Sequence, residues 1–480
     1  MRRAKIIATL GPATDDPEVL EKIIQAGADT VRLNYSHGTH EDQEKRVKLL
    51  HELTKKTGRH IGIMADLQGP KIRIRSFKNG YVFLEEGDEF VLDTALKEQD
   101  GDEHQVGVTY KNLVNDVKKG DNLLLDDGRI ILHVERVRDT RIKCTVLLGG
   151  KLSNNKGLNK EGGGLSAKAL TAKDRRDLRH AIQLGVDFIA LSFPRDASDV
   201  VKAQRLIKKE GGLCRIIAKI ERAEAVENET EIIETADAIM IARGDLGVEI
   251  GDAALPPVQK RLIKKARRMN KVVITATQMM ESMIENHIPT RAEVFDVANA
   301  VLDGTDAVML SAETSIGKYP VEVIKAMSRI IYETEKQRGA QGADYRIEQH
   351  FEGIDETIAM ATMYAANHIN AKAIISLTES GSTCKWLSRT RSAIPIFAFS
   401  RSDRTCRRVT LFRGVYPFLY DVTNKDFLEV NKEMIDILKY HNVVQDGDTV
   451  IITKGDLAGI SGGTNGMKIV RVGELVEHRE

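Results

Sequence analysis

Lys219 and Glu221 close the apolar run Ile216-Ile217-Ala218-Lys219-Ile220-Glu221 and stand two residues apart. Side chains two apart on a strand share a face, so an ammonium and a carboxylate are expected to emerge together where the strand ends. A second run, Ile239-Met240-Ile241-Ala242, passes into Arg243-Gly244-Asp245-Leu246-Gly247, which places another carboxylate in a glycine-bounded turn. Alone, Lys219 and Glu221 read equally well as a surface ion pair. Glu221 and Asp245 on successive strand ends tip the reading towards a magnesium site, because that ion takes hard oxygen ligands and only a few of them from protein.

Such groups need strands to present them. Short β-rich runs alternate with amphipathic segments, the pattern of βαβ units. Strands are expected at 4–10, 29–34, 61–66, 187–193, 215–220, 238–242, 271–276 and 307–311. Eight strands with intervening helices specify a (β/α)8 TIM barrel, whose chemistry gathers at the C-terminal strand ends. Asp16-Pro17 is a helix start, and Thr290-Arg291-Ala292-Glu293 has the capping-box pattern. The gap between the third and fourth strands is far longer than a normal connection and predicts an inserted domain. The barrel is therefore expected over 1–69 and 168–338, with an inserted all-β lid at 70–167 and a C-terminal α/β domain at 351–480.

In the lid, strands are expected at 81–84, 89–92, 122–125 and 144–147, between turns such as Asn79-Gly80 and Asp127-Gly128. Its exit, Asn154 to Asn159 followed by Gly162-Gly163-Gly164, reads as a hinge or an anion-facing loop. Gly339 to Gly342 reads as a linker. The last domain is expected to have strands at 372–377, 394–399, 414–419 and 449–453. Its strand-to-helix loop Thr378-Glu379-Ser380-Gly381-Ser382-Thr383 has the hydroxyls and free amides that suit a phosphate, and Gly462 to Gly466 could close over the same anion. Turns and helix caps use these residues too.

Composition narrows the function. With 71 basic and 70 acidic residues the net charge is +1, which points away from nucleic-acid and acidic-membrane partners. The basic cluster Arg404 to Arg408 reads as a solvated face or an anion site. Four scattered cysteines without CxxC spacing argue against disulfides and zinc and fit a reducing cytoplasm. No run reaches membrane-spanning length, and Met1-Arg2-Arg3 enters a strand-like segment with no room for a signal peptide. No GxxxxGK[ST] pattern occurs.

The other strand ends are polar as well: Arg32-Leu33-Asn34-Tyr35-Ser36-His37, then Asp66-Leu67-Gln68-Gly69-Pro70-Lys71-Ile72-Arg73, Thr275 to Met283, and Met309 to Thr314. With the segments around Lys219, Asp245, Thr277 and Glu313 in this order, the chain resembles the pyruvate kinase family over essentially its whole length. The resemblance implies phosphoryl transfer from phosphoenolpyruvate to ADP, giving pyruvate and ATP, in a magnesium-dependent cytoplasmic homotetramer, with manganese able to replace magnesium. It implies that Lys219 stabilises the phosphoryl in transit and that Glu221 and Asp245 hold the metal. Arg32 and Arg73 would fix phosphates, Gly244 and Asp245 would meet the substrate carboxylate through their amides, and Thr277 would add a hydroxyl and, with water, a candidate proton relay. Asn34, His37, Arg73 and Lys156 would contact the nucleotide, Lys156 when the lid closes. The loop with Thr378, Ser380, Gly381, Ser382 and Thr383 would take a phosphorylated sugar or a nucleotide as allosteric activator. Many members use potassium near Asn34, Ser36 and Asp66, with Thr after that Asp and Glu where this chain has Lys71; here Leu67 and Lys71 stand instead, and the Lys71 ammonium is expected to replace the cation, unless it points to solvent. The rival readings are a magnesium-dependent barrel lyase acting on pyruvate or its enolate, which leaves the lid and Lys219 without a role, and a non-catalytic sugar-phosphate sensor.

Overall fold

The computed structural model describes residues 1–337, 351, 353–390, 392–423, 425–456 and 462–474. The expected linker Gly339 to Gly342 lies outside the described residues. Eight parallel strands form a closed barrel: β1 (Lys5–Thr9), β2 (Thr30–Asn34), β3 (Gly62–Asp66), β4 (Phe188–Leu191), β5 (Arg215–Ile220), β6 (Ala238–Ala242), β7 (Val272–Ala276) and β8 (Ala307–Leu310). Each pairs with its neighbour in sequence, and β8 closes against β1. Every residue of β1, β3, β4, β6, β7 and β8 is buried. Helices cover one face and packed side chains fill the other, so these strands read as unbroken apolar runs. In the β5/β6 register Lys219 lies opposite Met240.

Helix starts follow local chemistry. Asp16 accepts from the Glu18 and Val19 amides with Pro17 in the first turn, and Thr290 and Glu293 form the reciprocal capping box. Both satisfy amides that the helix itself leaves without acceptors.

By contact the chain divides into two compact units. The first comprises Met1–Ala65, Gln183–Phe188 and Ala266–Glu480, and the second Asp66–Ile182 and Ile189–Lys265. The first unit contains the C-terminal five-stranded sheet, ordered Val415–Leu419, Ile396–Ser400, Ala373–Leu377, Thr449–Lys454 and Gly466–Arg471. Its last strand is antiparallel and lies outside the expected set; its residues are mostly exposed and carry no long apolar run. The second unit contains the inserted lid. Its six-stranded sheet is ordered Leu158–Lys160, Asn122–Leu125, Ile130–Arg138, Arg141–Leu148, Glu89–Asp93 and Gln105–Gly107, and Gly150–Ser153 pairs separately with Tyr81–Leu84. Strands of three or four residues such as Gln105–Gly107 and Leu158–Lys160 are too short for periodicity to reveal. Phe90, Leu92, Leu123, Leu132, Val134 and Ile142 centre the lid core. No described helix is long and apolar enough to cross a membrane.

Candidate active site

In the second unit, the end of β5 gathers a buried charge cluster. The Lys219 ammonium is 2.7 Å from Glu221 Oε1 and 3.3 Å from Asp66 Oδ1, and donates to Ser192 Oγ at 2.9 Å. Glu221 is fully buried and Asp66 nearly so. Glu221 directly follows the last strand residue, Ile220, and the two-residue spacing still turns it the same way as Lys219. Ser192 Oγ donates to Leu67 O at 2.7 Å and lies 3.3 Å from Asp66 Oδ1, which ties the residues after β3 to those after β4. Phe193, in the left-handed region at φ 56°, donates its amide to Glu221 Oε2 at 2.8 Å. Glu221 Oε1 has the Lys219 ammonium as neighbour and no donor aligned on it. Burial pushes the Glu221 carboxyl up, Lys219 pulls it back, and the charges of Asp245 and Asp66 push it further up. A like-charged pair in a buried place favours a cation beside it.

Asp245 stands in the first turn of the helix Arg243–Ile250, with Gly244 before it. Its Oδ1 accepts from Lys71 Nζ at 3.1 Å, and the Lys71 side chain is 30% exposed. The Lys71 ammonium is engaged with Asp245 while its side chain keeps part of its surface in solvent. On the lid, Lys156 Nζ pairs with Asp126 Oδ1 at 2.8 Å, and Arg73 donates to Asn155 O at 2.8 Å. One turn after Asp245 on the same helix, burial pushes the Glu249 carboxyl up to about 7 against the opposing Ala223 amide, Arg222 and Asn159.

The first unit holds the remaining expected residues. Arg32 donates to Thr9 Oγ1 at 3.2 Å, and the Ser36 amide donates to Asn34 Oδ1 at 3.0 Å. The His37 amide donates to Asn34 O at 3.3 Å. Thr277 and Gln278 follow β7 with φ of 65° and 53°; a β-branched residue in that region is strained, a condition concentrated at functional sites. The Thr277 hydroxyl donates to Ala276 O at 2.6 Å. Glu313 is structural: it accepts from the Ser311 amide at 2.6 Å and the Met280 amide at 3.3 Å.

In the C-terminal sheet region, Gly381 (φ +84°) precedes the helix Ser382–Arg389 and donates its amide to Thr378 Oγ1 at 3.0 Å. Thr383 Oγ1 meets Thr464 Oγ1 at 2.6 Å, which joins the two expected loops. Ser382 Oγ donates to Asp355 Oδ2 at 2.9 Å. The expected basic cluster is divided in its roles: Arg407 pairs with buried Asp187 at 3.0 Å and with Asp403.

Known proteins are similar to this chain over nearly all of its length. Residues 1–324 match the family described as pyruvate kinase, barrel domain, and residues 356–470 match pyruvate kinase, alpha/beta domain. The chain belongs to the pyruvate kinase family. It is 53% identical to a pyruvate kinase of Buchnera aphidicola subsp. Schizaphis graminum over 98% of this chain and 99% of that protein. It is 51% identical to pyruvate kinase II of Salmonella typhimurium with the same coverage. A crystal structure of a pyruvate kinase from Cryptosporidium parvum aligns with TM-score 0.91 and 33% identity over 98% of this chain and 96% of that one. Family membership makes the chain an enzyme, a phosphotransferase.

Sequence reasoning missed Ser192, Phe193, Arg222 and Glu249. Ser192 had a signal, since it is the first polar residue after the apolar Phe188–Leu191. Phe193 had none, because its contribution is a backbone amide turned by a positive φ.

Proposed function

We propose that the chain transfers the phosphoryl group of phosphoenolpyruvate to ADP, giving pyruvate and ATP, with magnesium as its metal. The observation that carries this reading is the buried Lys219 ammonium held between Glu221, Asp66 and Ser192 at a barrel-strand end. Phosphoryl transfer asks for positioning and charge neutralisation more than covalent help. Lys219 neutralises charge on the phosphoryl in transit, where it matters most because burial weakens solvent screening. The donor set fits a hard divalent ion: Glu221 Oε1 is buried without an aligned donor, and three carboxylates, Asp66, Glu221 and Asp245, face two ammonium groups. Glu221 and Asp245 are the residues that would hold it, with Lys71 as the neighbour that yields or shares Asp245. When bound, the ion would supply positive charge to neutralise the phosphate oxygens. The Gly244 and Asp245 amides at the helix start orient the substrate carboxylate.

Arg32, Thr277, Asn34 and His37 enter this proposal through the family motifs: Arg32 fixes the phosphoryl group, Thr277 meets the substrate and starts the proton relay, and Asn34 and His37 contact the nucleotide. Arg73 and Lys156 serve the nucleotide from the lid, and Lys156 must leave Asp126 to do so. Lys71 supplies the positive charge that potassium gives other members, supported by its 3.1 Å contact with Asp245, and no monovalent ion is then needed. A phosphorylated sugar or nucleotide activates through the joined loops at Thr383 and Thr464. The enzyme works as a cytoplasmic homotetramer.

The test is pyruvate formation from phosphoenolpyruvate and ADP with magnesium in Tris buffer free of potassium, before and after potassium is added. Full activity before addition is expected. Activity only after addition removes the role given to Lys71. Lack of activity under both conditions, with phosphorylated effectors also tried, overturns the reaction itself.

A further inference from the structure

The lid's return strap, Asn159 to Leu165, is fastened to its surroundings at Asn159, Gly162, Gly164 and Leu165. The Asn159 side chain donates to Glu249 Oε1 at 3.4 Å. The Gly162 amide donates to the Glu249 carbonyl at 3.0 Å, the Gly164 amide donates to Glu224 Oε1 at 2.7 Å, and Arg222 donates to the Leu165 carbonyl. Gly163 has φ +79°, which disfavours any other residue, and a Cβ there would come within 2.8 Å of Glu224 Oε2. The platform beneath is made of two helices. Ala223–Glu227 begins directly after Glu221 and Arg222, and Arg243–Ile250 carries Asp245 in its first turn and Glu249 one turn later.

Glu249 is the group that all parts share. It is 4% exposed. Its Oε2 accepts the Ala223 amide at 2.9 Å, which caps the first helix, while its Oε1 reaches the strap and its own carbonyl holds Gly162. The lid's entry and its return line one small cavity together with this platform, through Lys71 and Ile72 on one side and Leu158, Asn159 and Leu165 on the other, with Asp245 and Glu249 below. A carboxylate buried this deeply is costly unless its acceptors are used. Here the used acceptors join three separate pieces of chain.

We infer that Glu249 is a positioning residue, which fixes the lid's return strap on the helices that flank Glu221 and Asp245 and thereby sets how the lid presents Arg73 and Lys156 to the nucleotide. The inference rests on the function proposed above. Phosphoenolpyruvate is bound by other groups in that reading, so loss of the clamp separates the two substrates.

Full-length Glu249→Ala, Glu249→Gln and Asn159→Ala are compared with wild type at saturating magnesium, and amide hydrogen exchange is read without substrates. For Glu249→Ala, loss of the carboxyl's hydrogen bonds is expected to raise KM for ADP by ~10-fold with KM for phosphoenolpyruvate changed less than about twofold. Exchange of the Gly162 and Gly164 amides should quicken by ~10-fold or more as the strap opens locally. Glu249→Gln keeps an acceptor for the Ala223 amide and should recover most of both effects. Asn159→Ala cuts only the strap side and should act in the same direction by about threefold, which covers the case in which Glu249→Ala does not fold. Unchanged exchange, or a lowered Tm with both KM values unchanged, overturns the inference. A wild-type chain without phosphoenolpyruvate–ADP turnover overturns the functional reading instead, and the exchange rates still decide whether Glu249 holds the strap.

Discussion

Two buried charge clusters solve opposite problems. In the second unit, around Lys219, carboxylates are in excess: Asp66, Glu221 and Asp245 against Lys219 and Lys71. In the first unit, around Lys5, cations are in excess: Arg2, Arg3, Lys5, Arg59 and Arg413 against Asp29 and Glu335. The surplus cations are not waiting for anions, because they end on backbone carbonyls. Arg2 donates to Ala4 O and Gly27 O, Arg3 to Ser392 O and Glu335 O, Lys5 to Val415 O, Arg59 to Ile24 O and Ala28 O, and Arg413 to Thr305 O. Carbonyls are abundant where strands and helices end, so a buried cation can be satisfied by the fold alone. A buried carboxylate needs donors or a cation, and backbone amides are mostly committed to secondary structure. A surplus of buried acid therefore points to something that must arrive, and a surplus of buried base points to architecture.

The sharpest break between the two is Lys219→Met. Turnover should fall by ~10³ or more while phosphoenolpyruvate binding stays nearly intact, since the ammonium acts on charge that develops in the transition state. A fall of less than tenfold in steady-state kinetics removes Lys219 from that role. In the other cluster, Glu335→Ala should act on stability and spare turnover. Glu335 accepts the Arg3 and Ala4 amides at 2.7 and 2.8 Å and pairs with Arg413 at 3.0 Å, and leaving such partners buried costs about 3–5 kcal/mol. Chemical denaturation measures the loss; a large drop in kcat of the folded variant would contradict a structural role.

Lys5 gives the smallest effect and fixes its sign. Burial, first among its causes, lowers its ammonium to about 8, against an opposing pull from Asp29. The folded state then binds fewer protons than the unfolded chain between about 8 and 10.5, so this group makes the protein more stable as pH rises through that window. The full contribution is about 3 kcal/mol. The difference in unfolding free energy between wild type and Lys5→Met should grow in favour of wild type from pH 8 to pH 10. A flat difference would show that the Val415 carbonyl and the Tyr416 ring, 4.4 Å from Nζ, offset the burial.

These contrasts mark the limit of sequence reading. The alternation of apolar runs and amphipathic segments determined the barrel, because both faces of a parallel strand must be covered and the pattern is then nearly continuous. The long gap after β3 announced the insertion, and the two-residue spacing of Lys219 and Glu221 determined that they point the same way. Local rules also determined the caps at Asp16 and Thr290. What only the tertiary structure decided is who meets whom across the chain. Ser192 and Asp66 reach Lys219 from strand ends distant in sequence. Lys71 finds Asp245, Glu249 finds the strap at Asn159, and Lys5 ends on Val415. Periodicity carries the direction of a side chain relative to its own element and nothing about its neighbour on another. That partner is fixed only when packing brings the elements together.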